Sequence, residues 1–162
     1  MYTYIISTRS SLLCDDVFCL IALMQINLRW MLAYLAIGHI GFVLLSFSLT
    51  TDTGVSASLT YLLMYLIMTI AGFALIESIA SEDHQDIELG DLKGLSKTNP
   101  LIAFMLLFCM FSMVGIPPFI GFYAKWIVLT ELINNNSIGL AIVGVIMSVI
   151  AAYYYLRIVW YM

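Results

Sequence analysis

Apolar residues in this chain are gathered into long runs separated by short polar breaks. Residues 30–49 carry no formal charge and one histidine, His39. Residues 56–76 are uncharged throughout. Residues 100–124 are apolar up to Lys125, and apolar character resumes to Leu129. Residues 138–156 are uncharged up to Arg157. The breaks fall at 50–54, 77–99 and 131–137. A helix needs about 20 mostly apolar residues to cross a hydrocarbon core about 30 Å thick, so each run predicts membrane-spanning helix. The third run is too long for one span. Gly115-Ile116-Pro117-Pro118 divides it, because proline lacks a backbone donor and restricts the residue before it. The expected helices are 30–49, 56–79, 100–115, 118–133 and 137–160, with a polar loop at 80–99. A partial helix at 12–28 precedes them. Asp15 and Asp16 interrupt it, leaving residues 17–26, about half a crossing, to be completed by neighbours. The predicted architecture is an all-α, multi-pass bundle of about five or six helices in one membrane domain over 1–162.

Composition removes the soluble alternative. Hydrophobic residues make up 63% of the chain and charged residues 10%, against about 25% charged in soluble proteins. So little charge cannot cover a water-facing surface. The net charge of −4 is local in origin: Glu77, Glu82, Asp83, Asp86, Glu88 and Asp91 cluster in or beside one segment. There is no basic patch, so nucleic acid is not an expected partner. Cys14, Cys19 and Cys109 have no CxxC spacing and read as small packing residues. The N-terminus is neither an arginine-rich, acid-poor transit peptide nor a secretory signal, so an organellar form is expected to be made inside the organelle. Trp30 and Tyr34 open one helix, and Tyr153, Tyr154, Tyr155, Trp160 and Tyr161 close the last, where a headgroup belt of aromatic rings is expected. If all helices alternate in direction, Arg29, Lys93 and Lys97 fall on one side and Arg157 on the other, which leaves orientation open.

Two ionisable residues stand inside apolar runs. Lys125 lies seven residues past the double proline, about 10 Å into its helix. A charge at the bilayer centre costs at least about 2.5–3.5 kcal/mol and marks ion or proton pathways. Removal from water disfavours the ammonium, which suits a lysine to loading and releasing a proton. The alternative is that its long stem snorkels to an interface. His39 suits a relay, and Gly38 and Gly41 beside it allow close helix approach. A neutral histidine hydrogen-bonded between helices is the alternative. Glu77 and Glu131 end helices as interfacial residues and Arg29 is an anchor; a pathway or modulating role is the alternative for all three. The break at Gly115, Pro117 and Pro118 frees carbonyls at membrane depth, which is tolerated where protein or a water-filled cavity covers them. No GxGxxG, Walker loop, metal-ligand cluster or Ser/His/Asp arrangement occurs, and His39 and His84 do not make a haem pair. No cofactor-binding or metal site is therefore expected on this chain.

The segment Asp91-Leu-Lys-Gly-Leu-Ser-Lys-Thr-Asn-Pro-Leu-Ile-Ala-Phe104, followed by Phe111-Ser-Met-Val-Gly-Ile-Pro-Pro-Phe-Ile-Gly-Phe-Tyr-Ala-Lys125, resembles the proton-pumping subunits of respiratory complex I and their cation/proton antiporter relatives. Leu32-Ala-Tyr-Leu-Ala-Ile-Gly-His-Ile-Gly-Phe42 is similar to that family's L-A-Y-S-S-I-x-H-x-G-Y segment, with both serines replaced. Tyr61-Leu-Leu-Met-Tyr-Leu-Ile-Met-Thr-Ile-Ala-Gly-Phe73 and Tyr153-Tyr-Tyr-Leu-Arg157 are similar to patterns of the subunit 2 branch, the counterpart of the bacterial N subunit.

The resemblance implies that Lys125 is the lysine of the discontinuous helix in the later inverted repeat, and that His39 stands in the central polar axis. Where the family usually has a lysine–arginine pair this chain has Arg29-Trp30; a guanidinium holds its charge and biases neighbouring protons rather than shuttling one. The resemblance also implies a proton-translocating membrane-arm subunit of NADH:ubiquinone oxidoreductase in the mitochondrial inner membrane. NADH, FMN, iron–sulfur clusters and ubiquinone would be held elsewhere in the complex. The match covers only the back part of the family's subunit, so a split subunit is expected. Its partners would be a separate chain supplying the front helices, other membrane-arm subunits, and lipids including cardiolipin. Two other readings remain: a fragment of a sodium/proton antiporter subunit, and a structural membrane-arm component without pumping of its own.

Overall fold

The computed structural model describes residues 25–79 and 87–162. The expected partial helix at 12–28 lies almost wholly outside the described residues, as do Cys14, Cys19 and His84.

Helix α1 runs Leu28–Phe47, and Asn27 caps it, its Oδ1 accepting from the backbone N–H of Arg29 at 3.0 Å and of Trp30 at 3.4 Å. Helix α2 runs Asp52–Ile79. The loop expected at 80–99 is partly ordered as helix: a 3-10 turn, Leu89–Leu92, leads into a short helix α3, Leu95–Thr98. Burial and hydrogen bonds secure it. Leu92 and Leu95 are buried in the core. Asp91 accepts from the Glu88 N–H at 2.9 Å, and Leu28 and Leu89 exchange backbone bonds with Ile87 and Ile26 at 2.9 and 3.1 Å. Ser96 Oγ donates to the Met162 carbonyl at 3.0 Å. The segment 87–96 is thus a latch, joining the start of α1 to Met162. Helix α4, Pro100–Val114, begins with the proline whose missing N–H costs nothing at a helix start. Helices α5, Ile120–Asn134, and α6, Ile138–Tyr161, complete the bundle.

Helices α1, α2 and α6, with 20, 28 and 24 residues, are long and apolar enough to cross a membrane. At 15 residues each, α4 and α5 reach about 22 Å apiece and do not span alone. Helix α4 starts beside the latch, whereas the end of α5 sits at the α1–α2 turn, where Glu131 accepts from Thr51, Thr53 and Asn135. Together they make one interrupted crossing. This corrects the alternation assumed above. Lys93 lies 5.7 Å from the Tyr161 ring, so the end of α6 carrying Arg157 is on the same side as Arg29, Lys93 and Lys97.

Helix α2 packs most extensively on α1 and α5, and α4 also contacts α6. The inward stripe of α2 is Gly54, Ala57, Ser58, Tyr61, Tyr65, Met68, Gly72 and Ile76, at helical spacing of three and four. Its outer face carries Leu59, Leu62, Leu63, Leu66, Ile67 and Ile70. Small and hydroxyl-bearing residues face the protein while large aliphatics face outward, the arrangement of a bundle whose solvent is lipid.

Candidate functional site

The chain leaves α4 through Gly115, at φ +86°, a left-handed conformation that costs a residue with a Cβ about 1–2 kcal/mol. Its N–H turns back to the carbonyls of Phe111 and Ser112, both at 3.1 Å. The carbonyls of Met113 and Val114 would take their helical donors from residues 117 and 118, and both are prolines without an N–H. Among the described residues, the partner of the Val114 carbonyl is Lys125, whose Nζ donates to it at 2.7 Å. Helix α5 can bring the lysine there because it starts directly against α4. A Cβ on Gly121 would collide with the Ser112 carbonyl oxygen.

Lys125 is 7% exposed. A second proton of its amine goes to Ser148 Oγ on α6 at 2.8 Å, and Nζ lies 5.7 Å from the Phe42 ring centroid, within cation–π reach. The amine therefore does not extend to an interface; it is held between the broken helix, α1 and α6. Its hydrogen-bond partners are neutral. An ion pair joins Arg29 to Glu77 at 2.7 Å, near one end of α1 and α2. Arg29 and Glu77 thus occupy each other, and Glu131 is held at the opposite end by threonine and asparagine donors. None of the three joins the Lys125 group.

His39 does. It is 6% exposed and lines the same small cavity as Lys125, together with Leu35, Gly38, Phe42, Ser148 and Ala151. The cavity has room for about one water molecule. The imidazole is fixed on both nitrogens, Nδ1 to Tyr61 OH and Nε2 to Tyr155 OH, each at 2.9 Å. It also stacks on Tyr65 with centroids 4.6 Å apart. A neutral imidazole has one N–H and one bare nitrogen, so one tyrosine accepts from the ring while the other donates to it. Sequence reasoning missed these partners. Tyr154 and Tyr155 were expected in an aromatic belt at the headgroups, but they are 1% and 2% exposed and belong to the core, while Trp160 beyond them is 90% exposed. Their position within α6 explains the difference: Tyr155 is six residues short of the helix end, about 9 Å inward. A hydroxyl at that depth needs a polar partner. Ser148 was missed for lack of any local signal; its distance from Gly144 and from Ala151, four and three residues, places it on the inward face of α6.

This arrangement, an all-α membrane bundle with a buried lysine at a proline–glycine break, has known relatives. Residues 2–151 match the transmembrane family described as NADH:quinone oxidoreductase/Mrp antiporter. The chain belongs to that family. It is 47% identical over 139 residues to the NADH-quinone oxidoreductase subunit N of Hydrogenovibrio crunogenus, covering 86% of this chain. It is 46% identical over 141 residues to the subunit N of Nitrosomonas europaea, covering 87%. In each case the chain spans only 29% of the relative's length. Among solved structures it is similar to the Mrp complex from Dietzia sp., at 30% identity and a TM-score of 0.87 over 97% of this chain and 29% of the other. It is also similar to respiratory complex I from Thermus thermophilus, at 30% identity and 0.82 over 95% of this chain and 35% of the other.

Proposed function

We propose that this chain is the lysine-bearing section of a proton-translocating unit in the membrane arm of a respiratory NADH:quinone oxidoreductase. One observation carries the reading: the Lys125 amine lies inside the bundle, on a carbonyl that Pro118 leaves without a backbone donor, in a cavity shared with His39. An amine stripped of water in this way loads and releases a proton as nearby charges change. His39 relays that proton, and the break at Gly115, Pro117 and Pro118 opens the backbone around it. The front helices of the unit come from a separate chain. NADH, FMN, iron–sulfur clusters and quinone act elsewhere in the complex, and this chain carries no redox group. Membership of a transmembrane family supports a membrane location, and the membrane of this reading is the mitochondrial inner membrane, with other membrane-arm subunits and cardiolipin as neighbours.

The test replaces Lys125 by methionine, which keeps the stem and deletes the charge. In the assembled complex, proton translocation per electron is expected to fall by a large factor while NADH oxidation with an artificial acceptor persists. Unchanged translocation overturns the proposal. The likeness to the Mrp complex favours a second reading, a section of a cation/proton antiporter. Copurification with NADH oxidoreductase activity decides between the two.

A further inference from the structure

Both nitrogens of His39 are already bound to tyrosine hydroxyls, so a proton from Lys125 reaches the imidazole only through one of them. On the Tyr61 side stands an apolar ring: Phe42, which lines the cavity, stacks on Tyr61 with centroids 5.7 Å apart and planes 6° from parallel. On the other side, Ser148, Ala151 and Tyr155 are spaced three and four residues apart on α6, on one helix face. Ser148 accepts from Lys125, Tyr155 touches His39, and Ala151, with its small side chain, lines the cavity that Lys125, Ser148 and His39 share.

We propose that this face of α6 is the conductor between Lys125 and His39: the Ser148 hydroxyl, one water in the gap left by Ala151, and the Tyr155 hydroxyl. The inference rests on the proton-translocating reading above. The transfer balances as one proton moved. The Lys125 ammonium gives a proton to Ser148 Oγ as Ser148 releases its own to the water. The water gives one to the Tyr155 oxygen as Tyr155 releases its own to Nε2, with Nδ1–H donating to Tyr61. Lys125 ends as a neutral amine and His39 as an imidazolium. The hydroxyls and the water are unchanged.

The experiment measures proton translocation per electron, and its solvent deuterium isotope effect, in the assembled complex carrying single substitutions. Ser148→Ala, Tyr155→Phe and Ala151→Leu are each expected to slow translocation about tenfold or more, within the range of a lost proton-transfer group. Ser148→Thr keeps the hydroxyl and Ala151→Gly keeps the gap, and each is expected to recover most of the translocation lost in Ser148→Ala and Ala151→Leu respectively. Ser148→Ala removes a single half-buried oxygen, so its assembly is expected to be normal. Parent-like translocation in Ser148→Ala and Tyr155→Phe overturns the route. If Lys125→Met abolishes translocation in the same series, the wider function stands without it; if Lys125→Met also behaves like the parent, the function itself fails.

Discussion

At the scale of single residues, the Lys125 site illustrates how one missing backbone donor is answered by a side chain. An unsatisfied carbonyl in hydrocarbon costs several kcal/mol, and the lysine amine covers the Val114 oxygen at 2.7 Å. The residue that makes room for it is Gly115. A Cβ there would sit 3.0 Å from Lys125 Cδ, and the backbone is already at φ +86°. Gly115→Ala is expected to cost about 1–2 kcal/mol of stability from the left-handed conformation alone and to displace the lysine stem as well. The thermal midpoint of the solubilised complex should drop and translocation should weaken together; a variant that loses neither shows that the break tolerates a side chain. Lys125 and His39 were legible in the sequence because ionisable residues inside apolar runs are conspicuous. Tyr61, Tyr155 and Ser148 were not, since hydroxyl-bearing residues in a membrane helix are common and only their partners give them a role.

Among the elements, the decisive contact is the start of α5 against the end of α4. Two helices of 15 residues serve as one crossing only if the second begins where the first stops, and the bare Cα of Gly121 permits that by lying on the Ser112 carbonyl. Gly121→Ala forces the two apart. Overpacking of this kind costs about 1–3 kcal/mol, and the expected outcome is a reduced yield of assembled complex on a native gel. Full assembly would mean that the interface has slack. The helical runs themselves follow from length and hydropathy. The count of crossings does not, because a proline–glycine break reads equally as a turn between two spans and as an interruption within one. The latch at 87–96 escaped the sequence for a related reason: its polar composition is that of a loop, and its order comes from Leu92 and Leu95 sinking into the core and from Ser96 binding the Met162 carbonyl.

For the whole molecule, the interrupted crossing gathers Arg29, Lys93, Lys97 and Arg157 on one face, with Asp52 and Glu131 at the other. Basic residues near helix ends stay on the cytoplasmic side, or its mitochondrial equivalent, the matrix. Cysteines placed singly at Lys97 and at Asn136, in a background with Cys14, Cys19 and Cys109 replaced by serine, should therefore label from opposite sides of sealed vesicles with an impermeant thiol reagent. Lys97→Cys should react from the cytoplasmic or matrix side; the reverse pattern would refute the orientation. The sequence by itself determined that the chain lives in lipid, where its helices run, and that Lys125 beside Pro117 and Pro118 is exceptional, because the transfer cost of charge and the lack of a proline N–H are local properties. Only the tertiary structure decided which faces turn inward, that α4 and α5 form one crossing, and that Lys125, Ser148, Tyr155 and His39 converge. In helices that are apolar all round, no periodicity separates the protein-facing side from the lipid-facing side, and that choice is made by packing between helices far apart along the chain.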